Sequence, residues 1–167
     1  VFVHRFKLKF KIYKKFSTTY KLKPPLMTLQ DIFPLKINKK WADESKDKCI
    51  QDADLLLKGY IKFFSNDYKN LGSPPNWLKD PYSNIKILKN DKHWSEINLF
   101  QKQDIKVFWE SSRWSWAPLL ARAARLENKT IYISELQKWV DCWCLENPVN
   151  RGINWTCGQE VAIKLIN

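Results

Sequence analysis

The chain has 167 residues, 44% hydrophobic and 28% charged, with 29 Lys and Arg against 17 Asp and Glu for a formal net charge of +12. That is about one domain's worth of chain, long enough to bury a real core and ordinary in composition for a soluble globular protein. Two features depart from the ordinary: nine Trp, a side chain that serves both cores and binding surfaces, and an excess of positive charge that needs a polyanionic partner or a detachable basic segment.

The charge is concentrated at the start. Residues 1–23 carry Arg5, Lys7, Lys9, Lys11, Lys14, Lys15, Lys21 and Lys23 and no acid, which is eight of the net twelve. This basic N-terminal arm could hold a polyanion or be a solvated leader. Residues 1–16 interleave Lys with Phe, Leu, Ile and Tyr, so no uninterrupted apolar run reads as a signal peptide or a transmembrane segment. Val1 in place of Met suggests that the start is clipped.

From residue 24 the chain reads as one domain, 24–167. Pro24, Pro25 and Pro34 punctuate a weakly helical segment. Asp47 to Leu57 is a short helix with Cys49, Ile50, Ala53, Leu56 and Leu57 on one side and Gly59 as its stop. Tyr60 to Phe64 is a strand or an extended packing segment. Residues 65–95 are rich in turn formers (Gly72 to Pro75, Asp80-Pro81, Asn84, Asn90-Asp91) yet hold Trp77, Tyr82 and Trp94, as in a long loop wrapped over a scaffold.

From Asp104 the pattern is strongly helical. Ile105, Phe108, Ser112, Trp116, Leu119, Ala123 and Leu126 recur at spacings of three and four, a core stripe, and Pro118 is expected to kink that helix. Thr130 is the expected N-cap of a second helix, with Tyr132, Leu136, Trp139, Val140 and Trp143 inward. Asn147-Pro148 ends it. Thr156 with Gln159 three residues on is a capping box, predicting a third helix near Cys157. That helix shows no closing signal before Asn167, so the chain is expected to be a fragment. Short helix–helix connections make antiparallel neighbours. The expected fold class is all-α, with a basic arm and a long irregular segment preceding the helical hairpins.

Two clusters carry possible chemistry. Lys106, Trp109, Glu110 and Arg113 lie together on one side of the first long helix, either a surface ion-pair ladder or, beside Trp109, Trp114 and Trp116, a sugar site. Asn154, Trp155, Gln159, Glu160 and Lys164 sit at a helix start whose free N–H groups favour an anion; alternatively Trp155 is a staple and Glu160–Lys164 a structural pair. Cys142 and Cys144 point to opposite sides of a helix, and His4 and His93 are not at ligand spacing to any cysteine. Free thiols are expected, with no metal or other cofactor. No Ser/His/Asp or Cys/His arrangement and no close carboxylate pair for glycoside hydrolysis can be assembled.

The runs Asp104–Arg113, Trp116–Ala123 and Trp143–Asn167 resemble the heparinase II/III family of polysaccharide lyases, in particular its heparinase-III-like and alginate-lyase-like N-terminal domain. The likeness is specific from about Trp94 to Asn167, looser from Lys15 to Trp94, and absent over residues 1–14. It implies part of an (α/α) toroid of helical hairpins, followed in the family by a β-sandwich domain. It also implies a bacterial, periplasmic or exported enzyme that cleaves uronic-acid-containing glycans, heparan-sulfate-like or alginate-like, by β-elimination. The partner so implied is an acidic polysaccharide, not a specific nucleic acid.

By the same resemblance the substrate-binding residues are Trp109, Glu110 and Arg113 on one segment and Asn154, Trp155, Glu160 and Lys164 on the other. Lys164 departs from the Arg expected there, keeping the charge without the bidentate fork. The family's Asn, Tyr and His that neutralise the carboxylate and move protons fall beyond Asn167, so no catalytic residue is assigned here and these residues alone are expected to be inactive. The alternative is a non-catalytic module that holds polyanions, acidic glycan or nucleic acid.

Overall fold

The computed structural model describes residues 39–83, 92–98 and 104–167. The chain divides into two units, Val1–Ala42 and Asp43–Asn167. Nearly all of the first, with the basic arm 1–23 and Pro24, Pro25 and Pro34, lies outside the described residues, as do Asn84, Asn90 and Asp91 of the turn-rich stretch.

Helix α1 runs Lys39–Leu57, longer at its start than the apolar pattern from Asp47 predicts. It ends where Gly59 takes a left-handed φ of 84°. A Cβ at Gly59 would stand 2.7 Å from the Gly72 backbone, so glycine is required by space as well as by conformation. The chain then forms a two-stranded antiparallel hairpin, β1 Tyr60–Phe63 and β2 Asp67–Asn70, with Ile61 opposite Lys69 and Phe63 opposite Asp67. Ile61 and Phe63 alternate inward and are buried, the half-buried pattern of an antiparallel pair.

The single kinked helix expected from Asp104 is two helices, α2 Ile105–Ser112 and α3 Trp116–Glu127. Asp104 caps α2 through its carboxylate, which accepts from the Lys106 N–H at 3.0 Å. The break falls at Trp114, whose φ is +64°, and not at Pro118. Pro118 is the third residue of α3, inside the first turn, where a missing N–H leaves no intrahelical bond broken. Asn128, also left-handed, closes α3, and α4 runs Thr130–Glu146 with Lys129, not Thr130, in the cap position. Asn147 ends α4 as the sequence predicts.

After a 3-10 turn, Ile153–Trp155, α5 runs Gly158–Ile166. Its expected capping box does not form. The Thr156 hydroxyl instead donates to the Ile153 carbonyl at 2.7 Å, closing the 3-10 turn, and Cys157 stands at the cap without a side-chain bond. The described residues are thus mainly α with one small sheet.

Indoles form the spine of the core. Trp77, wholly buried, lies 5.7 Å from Trp116 and 6.1 Å from Trp139. Trp116 continues to Trp114, Trp114 to Trp143, and Trp143 to Trp155. Of the predicted inward residues, Phe108, Ser112, Trp116, Ala123, Tyr132, Trp139 and Trp143 are buried, while Leu119, Leu136 and Val140 are half-buried at the core's edge. The Tyr132 hydroxyl donates to Asp54 at 2.8 Å, tying α4 to α1. All four cysteines are free. Among the described residues no helix is long and apolar enough to cross a membrane, and no group of His, Cys, Asp or Glu could hold a metal ion.

Candidate functional site

The two clusters read separately in the sequence meet in one place. Arg113 leaves the C-terminus of α2 and reaches α5, where its Nε donates to Glu160 Oε2 at 2.8 Å and Nη2 to Oε1 at 2.7 Å. This is a two-pronged, charge-assisted contact that only a guanidinium can make. The remaining prong, Nη1, holds Glu110 one turn back on α2. From the other end, the Asn167 amide donates to the Arg113 carbonyl at 2.8 Å. The C-terminal turn of α2 and helix α5 are therefore laced together by side chains 47 residues apart in sequence.

The loop between α4 and α5 is fixed by a second set of bonds. The Trp109 indole N–H donates to the Ile153 carbonyl at 2.9 Å, and the Trp155 indole to the Asn147 carbonyl at 3.2 Å. Asn147 is the hub: its side-chain amide donates to the Trp143 carbonyl at 2.9 Å, and its Oδ1 accepts from the Asn154 amide at 2.7 Å. Asn154 is wholly buried, and its Oδ1 has no partner among the described residues. On the loop's outer side, the Trp94 N–H donates to the Asn150 carbonyl at 3.0 Å and the Gly152 N–H to the Lys92 carbonyl at 3.1 Å. These bonds flank the His93–Arg151 pair, setting the two side chains on one face.

Burial sorts the seven candidate residues. Asn154, Glu160 and Lys164 are buried, with Glu160 at 4% and Lys164 at 8% exposure, whereas Trp109, Glu110, Arg113 and Trp155 are half-buried. Hydrogen bonding from Arg113, opposed by burial, holds the Glu160 carboxyl below its ordinary range, and Arg113 is raised reciprocally. Lys164 lies with its Nζ 5.6 Å above the Trp143 ring and donates at 3.0 Å to the carbonyl of Glu160. Desolvation lowers its pKa to about 8, against the pull of the Glu160 carboxylate and with the help of Arg113.

Chemically, this arrangement is a charge-neutral knot of two acids and two bases, with two indoles at its margin. Arg113 is fully engaged by carboxylates of its own chain, so the knot acts first as the support that fixes the loop from Asn147 to Trp155. Sequence reasoning missed Asn147 as the hub, because an Asn before Pro reads only as a helix stop. It also missed the pairing of residues 92–94 with the loop, since a lone two-residue bridge leaves no periodicity. Compared with protein-family models, curated proteins and solved structures, the chain has no match.

Proposed function

We propose that these helices form one wall of a glycan groove in a polysaccharide lyase that acts on uronic-acid-containing chains by β-elimination. The observation that carries the reading is the meeting of the two segments that resemble the heparinase II/III family: Trp109, Glu110 and Arg113 on α2, and Asn154, Trp155, Glu160 and Lys164 about the start of α5. In this reading the half-buried rings of Trp109 and Trp155 face the sugar, stacking on its apolar faces. The buried Asn154, Glu160 and Lys164 are positioning residues that hold the loop and Arg113 in place. The α3–α4 hairpin is one unit of a toroid, and the exposed Leu145, Val149, Leu165 and Ile166 are apolar surface for neighbouring hairpins to cover.

In the elimination itself, a base takes the proton beside the uronate carboxylate, a neutralising group stabilises the resulting carbanion, and an acid protonates the departing glycosidic oxygen as the double bond forms. Those groups lie outside these 167 residues in this reading. What this wall supplies is placement of the chain.

A second reading is favoured by the charge: a module that holds polyanions without cleaving them. Removing residues 1–23 separates the two. A polyanion module loses most of its affinity, and its salt dependence flattens, because the released counterions belong to the arm. A groove lined by Trp109 and Trp155 keeps its preference for uronate polymers over nucleic acid when the arm is gone. Equal loss for heparan sulfate and single-stranded DNA would remove the groove reading.

A further inference from the structure

The tip of the β1–β2 hairpin carries an aromatic surface that the groove reading does not use. Phe64 follows β1 at a φ of +40°, and Ser65 follows at +84°. A bulky side chain in the left-handed region is an outlier, tolerated only where surrounding structure or function requires it. Burial does not explain it, because Phe64 is 51% exposed. Beside it Tyr82 is 46% exposed, its ring centroid 6.4 Å from that of Phe64 and the two planes tilted by only 32°.

Both rings rest on Phe63, which is wholly buried and edge-on to each, at 6.2 and 6.1 Å. Tyr82 is held by its backbone as well: its N–H donates to Asp80 Oδ1 at 2.8 Å, and the same oxygen takes the Ser83 N–H at 3.3 Å. The Tyr82 backbone is thus held in place by hydrogen bonds, which lowers the ordering cost a ligand would meet there. Lys69 projects over Tyr82, its Nζ 4.6 Å from the ring centroid and 3.1 Å from Asp67 Oδ1. The surface adjoins the candidate groove, since α2 packs against β1 and the charge of Glu110 reaches the Tyr82 hydroxyl.

We infer that Phe64 and Tyr82 form a sugar-stacking subsite for a pyranose of the same acidic glycan, with Lys69, held over the Tyr82 ring beside Asp67, as the cation that a uronate carboxylate would meet. Two neighbouring exposed rings tilted by 32° present apolar faces that the C–H face of a pyranose can cover, and the Lys69 ammonium, shared with Asp67, adds selectivity for acidic over neutral sugar. The inference rests on the lyase-groove reading for the identity of the glycan.

The strained backbone supplies a clean test. Phe64→Gly removes the ring while relieving the left-handed position, so the variant should melt at or above the wild-type temperature. We would titrate wild type, Phe64→Gly, Phe64→Trp and Lys69→Met with hexasaccharides of alginate and heparan sulfate, with cellohexaose, and with a deoxythymidine oligomer. The expected result is about tenfold weaker binding of the acidic hexasaccharides by Phe64→Gly, retention by Phe64→Trp, and a narrowed gap between acidic and neutral sugar in Lys69→Met. Wild type that binds acidic hexasaccharides as tightly as Phe64→Gly overturns the subsite and leaves the groove reading standing. Wild type that binds no acidic sugar overturns both. Phe64-dependent binding of the thymidine oligomer alone overturns the subsite in favour of a nucleic-acid surface.

Discussion

At the scale of single residues, Arg113 decides most. Its guanidinium makes three contacts to two carboxylates, and Glu160 is the more deeply buried partner. Removing Arg113 would leave that carboxylate desolvated without its counter-charge, which costs more than the pair itself contributes. Arg113→Ala is therefore expected to lose about 3 kcal/mol in denaturant unfolding, and Arg113→Lys to recover only part of it, since an ammonium cannot grip both Glu160 oxygens. Equal stability of wild type and Arg113→Ala would show that the knot is not structural.

Lys164 gives a prediction of opposite character. Its pKa is about 8 in the fold against an ordinary 10.5, so between those values the unfolded chain holds a proton that the folded chain does not. Stability from this group is therefore constant below pH about 8 and rises as pH climbs toward 10.5. Tyr68, Tyr82 and Tyr132, raised to about 12, work the other way above their ordinary 10.0. The clean comparison is thus the melting temperature of wild type minus Lys164→Met between pH about 7.5 and 9.5. That difference should grow in favour of wild type, and a flat difference would place the Lys164 pKa near its ordinary value.

At the scale of elements, the hairpin turns on Gly59. Gly59→Ala would force a Cβ into the Gly72 backbone at a φ that L residues rarely adopt, so a loss of about 2 kcal/mol or more is expected in thermal or denaturant unfolding. A neutral substitution would mean that the α1–β1 and β2–Trp77 junctions are free to move apart. The helices of this unit were legible in the sequence because a stripe at spacings of three and four survives from Phe108 to Trp143 and the stop at Asn147 acts locally, whereas the expected caps at Thr130 and Thr156 do not form, Lys129 and Cys157 standing in the cap positions.

The hairpin was only half legible. Tyr60 to Phe64 alternates, but Asp67 to Asn70 is too polar and too short to read as a strand without its partner. The helix break was misplaced for a related reason: Pro118 is conspicuous in the sequence, whereas the left-handed turn at Trp114 is imposed by packing between Trp116 and Trp143. The candidate site was legible as two sets of residue types, and their union through Arg113 and Glu160 was not, because a contact 47 positions apart has no local signature.

At the scale of the molecule, charge and tryptophan content resolve into different parts. Residues 43–167 hold eighteen basic and sixteen acidic side chains, a net of two, so the compact unit is nearly neutral and the excess lies before it. Deleting residues 1–23 should accordingly lower the apparent affinity for heparin at low salt, with the far-ultraviolet spectrum of the helices unchanged; undiminished salt-dependent binding would assign the polyanion contacts to the compact unit. Six of the nine Trp form one connected run through the core, from Trp77 and Trp139 to Trp155. The tryptophan content that invites a carbohydrate-binding reading is therefore mostly structural, and the reading depends on Trp109 and Trp155 at the margin.

The most direct test of the lyase-groove reading is the ultraviolet absorbance of unsaturated uronate, followed while the full gene product is incubated with heparan sulfate, heparin, alginate and chondroitin. The account predicts absorbance growing with time on at least one of them, at a rate reduced in Trp155→Ala while the fold persists. No absorbance change on any of the four polymers would contradict it.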